Sequence, residues 1–129
     1  METAPCPRIL VVEDDALVAQ FIEFLLLDEG CAVAAIARDG RDAVAAVLAL
    51  HPDVVVMDVE MPEMDGIEAT RRIQELCPTP VVILSGYDSP ELLARAVTAG
   101  AQAYVTKPPG RHDLMRAILF AQANFQAEC

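Results

Sequence analysis

Four short apolar runs in this 129-residue chain stop at polar side chains, and those stops carry most of its candidate chemistry. Ile9-Leu10-Val11-Val12 ends at Glu13-Asp14-Asp15, Val54-Val55-Val56-Met57 at Asp58, Val81-Val82-Ile83-Leu84 at Ser85, and Ala103-Tyr104-Val105-Thr106 at Lys107. Carboxylates gathered within a few ångströms repel, so a cluster of them persists only if some protonate or a cation enters. Hard oxygen donors with room left for water suit Mg²⁺. Lys107 adds a fixed positive charge and Ser85 a hydroxyl donor. Cation, ammonium and hydroxyl together suit a transferring phosphoryl group, whose charge is spread over its equatorial oxygens, and an aspartate facing that group can be its nucleophile. Taken singly, each residue has a plainer use. A strand-terminal Asp often caps the next helix, as is expected of Asp15; a lone lysine is usually solvated, and a lone serine usually marks a turn. The ordered set of four strand ends points to one shared site.

Such a site requires elements that bring the ends together. The Val- and Ile-rich runs, unbroken by polar residues, have the pattern of strands buried on both faces of a parallel sheet. The first, Arg8 to Val12, is followed by a helix from Ala16 to Glu29, marked by Leu17, Phe21, Phe24 and Leu25, with Gly30 just past its end. Cys31 to Ala37 is a weaker, Ala-rich strand, and Asp39 caps a helix from Gly40 to Leu50 that His51-Pro52 ends. Val54 to Met57 leads to Asp58, the segment from Val59 to Gly66 is a loop, and Ile67 to Leu76 is helical. In that loop Glu60, Glu63 and Asp65 look like solvated charge, except where backbone atoms face inward. Val81 to Leu84 precedes a helix opened by Ser89-Pro90 and closed at Gly100. Ala103 to Thr106 leads to a last helix from Arg111 to about Gln126, with Leu114, Ile118, Leu119 and Phe125 available for packing. Alternating strands and helices imply an α/β, doubly wound parallel sheet, with ligands at the carboxyl ends of the strands. Strands 1 and 3 then flank the switch point, which brings Glu13, Asp14 and Asp58 together.

Composition narrows the classes further. Nine Lys and Arg against twenty Asp and Glu leave a formal net charge of −11, which argues against a nucleic-acid or anionic-membrane surface. A hydrophobic fraction of 54% supplies a core and excludes a disordered acidic tail; with 5% aromatics and no Trp, that core is aliphatic. No apolar run is long enough to span a bilayer, and the N-terminal residues lack a basic segment followed by an apolar one, so a cytoplasmic location is expected. Cys6, Cys31, Cys77 and Cys129 form no C-x-x-C pair and, with His51 and His112, no zinc pattern; they are expected to be reduced thiols, with Cys6 and Cys129 near exposed ends.

Across nearly its whole length, Ile9 to about Gln122, the chain resembles the receiver domain of two-component response regulators. The resemblance rests on Ile9-Leu10-Val11-Val12-Glu13-Asp14-Asp15, on Asp58-Val59-Glu60-Met61-Pro62-Glu63-Met64-Asp65-Gly66, on Val82-Ile83-Leu84-Ser85-Gly86, and on Tyr104-Val105-Thr106-Lys107-Pro108. It implies a flavodoxin-like (βα)5 fold with strand order 2-1-3-4-5, with residues 8–126 as the receiver domain, 1–7 as an extension and 127–129 as a tail. It implies Asp58 as phosphoacceptor. Mg²⁺ would be held by Asp14 and Asp58, by Glu13 through water, and by the backbone carbonyl of Glu60. Ser85 and Lys107 would contact the phosphoryl group, Tyr104 would be the switch aromatic, and the Lys107–Pro108 bond would be cis. Glu60 and Tyr87 stand two residues after Asp58 and Ser85, where relatives tune phosphoryl lifetime; Tyr87 is expected to shield the phosphoryl group from water. The implied partners are a histidine kinase or phosphotransfer protein and a downstream effector protein. The chain would act as a monomer or as a phosphorylation-dependent dimer through helix 4, strand 5 and helix 5.

The chain departs from the family where Pro109-Gly110 follows Lys107-Pro108, a position often held by Phe. The resemblance implies a domain that catalyses only its own phosphorylation and dephosphorylation. Two other classes compete with it. A phosphatase or phosphotransferase built on an Asp and Mg²⁺ needs a substrate pocket or cap that the short loops leave little room for. A degenerate receiver acting only in protein binding is expected to have lost an acidic-pair, acceptor or lysine residue, and all are present here.

Overall fold

A computed structural model describes residues 7–61, 64–87 and 89–125. Five strands, β1 (Arg8–Val12), β2 (Ala32–Ala37), β3 (Val54–Asp58), β4 (Val81–Ser85) and β5 (Ala103–Thr106), form one parallel sheet in the order β2-β1-β3-β4-β5. Helices α1 (Ala16–Asp28), α2 (Gly40–Leu50), α3 (Gly66–Leu76), α4 (Pro90–Ala99) and α5 (Arg111–Asn124) alternate with them. This is the doubly wound architecture expected from the alternation of apolar runs, with the flavodoxin-like strand order that the resemblance implies.

The period of two along each strand divides the core between the two faces. Leu10, Val12, Val55, Met57, Val81 and Ile83 pack with Ala43 and Val47 of α2, Ile67 and Ile73 of α3, and Ala96 and Ala99 of α4. Ile9, Val11, Val54, Val56, Val82 and Leu84 pack with Ile22, Leu25 and Leu26 of α1 and with Leu114, Ile118 and Ala121 of α5. Truncating a fully buried member such as Ile83 to Ala costs about 2–5 kcal/mol.

Helix ends follow their capping residues. Asp15 accepts the Leu17 N–H at 2.9 Å, Asp39 that of Asp42 at 2.9 Å, and Ser89 that of Leu92 at 3.3 Å. Gly30 and Gly100 take the positive φ, 87° and 108°, that closes the helices before them.

Three local expectations need correction. Of the residues that mark α1 in the sequence, only Leu25 is buried; Leu17 is 77% exposed, and Phe21 and Phe24 also face outward. The helix is apolar nearly all round, and it turns the stripe containing Ala19, Ile22, Leu25 and Leu26 toward the sheet. Leu119 likewise points outward from α5, because Leu114, Ile118 and Ala121 already fill the i, i+4, i+7 stripe on the sheet side. That helix ends at Asn124, with Phe125 extended (φ −80°, ψ 134°), short of the end near Gln126 that the sequence predicts; Gln126 lies outside the described residues together with Cys6 and Cys129.

Candidate functional site

Strand register carries the polar ends to one edge of the sheet. Val12 pairs with Met57, so Glu13 and Asp14 emerge beside Asp58; Asp58 pairs with Leu84, so Ser85 follows on its other side. Ser85 pairs with Thr106, and Lys107 continues from there. Each end is anchored through the backbone. Glu13 N–H donates to the Ala37 carbonyl, Val59 N–H to the Leu84 carbonyl, and Lys107 N–H to the Ser85 carbonyl at 2.8 Å. The Lys107–Pro108 bond is cis, as the resemblance implies.

Glu13 and Asp58 are each 1% exposed, an arrangement costly for carboxylates. Lys107 Nζ lies 2.8 Å from Asp58 Oδ1 and 3.0 Å from Glu13 Oε1. The ammonium is thus the ion-pair partner of one oxygen on each carboxylate, whereas Asp58 Oδ2, also buried, has no hydrogen-bond partner among the described residues. The second Glu13 oxygen accepts the Asp15 N–H at 3.2 Å. Burial pushes the Asp58 carboxyl up to about 7; the charges of Glu13 and Glu60 add to the rise, and Lys107 opposes it. For Lys107, burial alone would lower the ammonium, but Asp58 and Glu13 outweigh it and hold the pKa above the ordinary lysine value.

Glu13, Asp14 and Asp58 each offer an oxygen, and these lie within 4.8 Å of one another. Two of the three residues are buried and one is exposed, so the cluster opens to solvent on the Asp14 side. Hard oxygen donors, a buried Asp58 oxygen without a partner, and an open side fit a hexacoordinate cation that keeps part of its water shell, as Mg²⁺ does.

Ser85 is fully buried. Its Oγ accepts the Tyr87 N–H at 3.0 Å and donates to Glu60 Oε2 at 3.2 Å. The loop acids are thus not all free solvated charge. The Glu60 carboxylate engages Ser85, and Asp65 caps α3 by accepting the Glu68 N–H at 2.9 Å; Glu63 lies outside the described residues. Tyr104 is half-buried in β5, and its hydroxyl donates to the Tyr87 carbonyl. Tyr87 itself is exposed.

One residue of the site escaped sequence reasoning. A Cβ at Gly66 would lie 2.0 Å from the Asp58 carbonyl oxygen, so this position packs the first turn of α3 directly onto the backbone of Asp58. The Asp65-Gly66 pair is visible in the sequence as a loop end and as the close of the segment that carries the resemblance, with no sign of its contact with Asp58.

Comparison with known proteins decides the family. The model for the response regulator receiver domain matches residues 9–119. The chain belongs to that family. It is 39% identical over 119 residues to the transcriptional regulatory protein PdtaR of Mycobacterium tuberculosis, covering 92% of this chain and 58% of that protein. It therefore spans little more than half the length of that relative. The crystal structure of the response regulator domain of Thermotoga maritima CheB superposes with a TM-score of 0.87 at 30% identity, covering 94% of this receiver chain and 99% of that one. The CheX–CheY–BeF3–Mg complex of Borrelia burgdorferi gives a TM-score of 0.83 at 25% identity, covering 87% of this chain and 86% of that one. Among the described residues of this receiver, no helix is long and apolar enough to cross a membrane.

Proposed function

We propose that this receiver domain is a phosphorylation switch in which Asp58 accepts a phosphoryl group from the phosphohistidine of a histidine kinase or phosphotransfer protein. The observation that carries the reading is Asp58 Oδ2, a buried carboxylate oxygen with no hydrogen bond, at the end of β3 and beside Lys107. Asp14, Asp58, the Glu60 carbonyl and, through water, Glu13 would hold Mg²⁺, whose charge would offset that of the phosphoryl oxygens. The beryllofluoride and magnesium in the Borrelia CheY complex, which shares this fold, support a Mg²⁺ requirement.

A carboxylate oxygen of Asp58 attacks phosphorus as the phosphorus–nitrogen bond to the donor imidazole breaks; the leaving nitrogen keeps the electron pair, and the product is an aspartyl phosphate. Lys107 then serves the phosphoryl oxygens, and Ser85 supplies its hydroxyl to the same group. Tyr104, linked to the Ser85 loop through the Tyr87 carbonyl, carries the change to the surface of β4, α4 and β5, where an effector protein would read it. The domain catalyses only its own phosphorylation and dephosphorylation.

The donor's approach has a surface to match. Leu17, Val18 and Phe21 of α1 line a recess of about 370 Å³ with Lys107, Pro108 and Pro109. A helical partner seated on this apolar stripe would bring its phosphohistidine to the Lys107 side of Asp58. Incubation with acetyl phosphate and Mg²⁺, followed by intact mass, tests the reading. One phosphoryl adduct is expected, lost in Asp58→Asn and when Mg²⁺ is chelated; an unmodified wild-type chain overturns it.

A further inference from the structure

The hydroxyl of Ser85 has one proton, and in this structure that proton goes to Glu60. Ser85 Oγ donates to Glu60 Oε2 at 3.2 Å while accepting the Tyr87 N–H at 3.0 Å, so the hydroxyl is engaged on both sides. Asp58, at the neighbouring strand end, receives no hydrogen bond from it, and Asp58 Oδ2 stays without a partner. Ser85 is fully buried and the serine rotor is short, so it cannot serve Glu60 and a group on Asp58 with the same proton. The backbone beyond it is tied to the same rotor. Tyr87 N–H holds Ser85 Oγ, and the Tyr87 carbonyl holds the Tyr104 hydroxyl. A continuous set of hydrogen bonds thus runs from Glu60 through Ser85 and residue 87 to Tyr104.

We propose that Glu60 is a positioning residue that restrains the switch: its carboxylate holds the Ser85 hydroxyl in the unphosphorylated chain, and a group on Asp58 must win that proton away. The inference rests on the receiver reading and deepens it, because it assigns the Glu60 side chain a role separate from that of the Glu60 carbonyl. Glu60 is exposed, so the bond is set against water on one side and its loss is moderate. A second effect of the same carboxylate, its repulsion of any anion on Asp58, does not pass through Ser85. The two effects separate in a double-substitution cycle.

The probe is beryllofluoride with Mg²⁺, titrated into the full chain and into Glu60→Ala, Ser85→Ala and the double variant. If Glu60 holds Ser85, Glu60→Ala tightens beryllofluoride more strongly when Ser85 is present than in the Ser85→Ala background. The excess expected is about three- to tenfold, the worth of one hydrogen bond to a partly solvated charge. Glu60→Gln, which keeps an acceptor oxygen and loses the charge, is expected to retain part of that excess. Equal tightening in both backgrounds overturns the restraint and leaves simple repulsion. A wild-type chain that binds no beryllofluoride overturns the receiver reading and this inference with it, whereas equal factors overturn the inference alone.

Discussion

A Cβ placed on Gly66 would stand 2.0 Å from the carbonyl oxygen of Asp58 and 2.9 Å from its carbonyl carbon. No rotamer relieves a clash with backbone. The start of α3, whose Gly66 N–H donates to the Val59 carbonyl at 3.1 Å, would have to move away from β3. Gly66→Ala is therefore expected to lower stability by about 1–3 kcal/mol, the usual cost of overpacking, and to reduce labelling of Asp58 by acetyl phosphate even at temperatures where the chain stays folded. Urea unfolding and intact mass on the same preparation check both; unchanged labelling would mean that the contact only supports the helix.

The buried carboxyl of Asp58 makes stability depend on pH in a stated direction. Its pKa stands at about 7 in the fold against 3.8 for an ordinary aspartate, chiefly through burial. A group that is harder to ionise when folded leaves stability intact below about pH 4, and that stability is lost as pH rises toward and through 7. Asp58→Asn cannot ionise there. Its stability relative to wild type should rise between pH 5 and pH 8 by roughly 1–3 kcal/mol and then level off. Urea denaturation in chelator across that range is the measurement, and a difference independent of pH would contradict it.

The same proton opposes Mg²⁺. Metal can use the Asp58 carboxylate only after its proton leaves, so affinity should weaken as pH falls below about 7 and hold steady above about 8. Removing a donor has a different signature. Asp14→Ala is expected to weaken Mg²⁺ at every pH, by about tenfold or more, because it removes one oxygen donor of the acidic cluster outright. Calorimetric titration at pH 6, 7 and 8 distinguishes the two patterns.

Much of this was legible in the sequence because unbroken Val and Ile runs dictate buried parallel strands, and a polar residue that stops such a run must lie at a strand end. The caps at Asp15, Asp39 and Ser89 followed from the same reasoning. Failures arose where local pattern is degenerate. Leu17, Phe21 and Phe24 are spaced like a buried stripe, yet α1 carries two such stripes and only tertiary packing selects Ile22, Leu25 and Leu26. Glu60 and Asp65 looked alike as loop acids. The Glu60 contact reaches Ser85, 25 residues along the chain, and no spacing rule encodes it, whereas Asp65 caps α3 through Glu68 three residues on, a local pattern hidden only by counting the segment as loop.

The outward stripe of α1 offers a way to separate the two routes of phosphorylation that the proposed function implies. On the proposed reading, a small donor such as acetyl phosphate would need only the Asp58 site, whereas a protein donor would also seat against Leu17 and Phe21, which line a recess with Pro108 and Pro109. Phe21→Ala should thus slow transfer from a partner's phosphohistidine by about tenfold, the worth of losing one apolar anchor, and leave acetyl phosphate labelling unchanged. Equal slowing of both reactions would place Phe21 in the fold instead of the docking surface.

Tyr87 bears on how long the phosphoryl group lasts. Its backbone is held at both polar atoms, the N–H by Ser85 and the carbonyl by Tyr104, while its side chain stays largely free and is 65% exposed. If Ser85 turns toward a phosphoryl group, as the proposed function has it, residue 87 would follow through its N–H, and a phenol ring carried with it would cover the side from which hydrolytic water must approach. Replacing that ring with a methyl group keeps both backbone hydrogen bonds and removes the cover. Tyr87→Ala is expected to speed loss of phosphate by about threefold to tenfold without changing the rate of labelling, because water approaches opposite the aspartyl oxygen only after the group has been transferred. Decay of the phosphorylated species, followed by intact mass after the phosphodonor is removed, measures it; equal decay rates in the two proteins would assign the ring no shielding role.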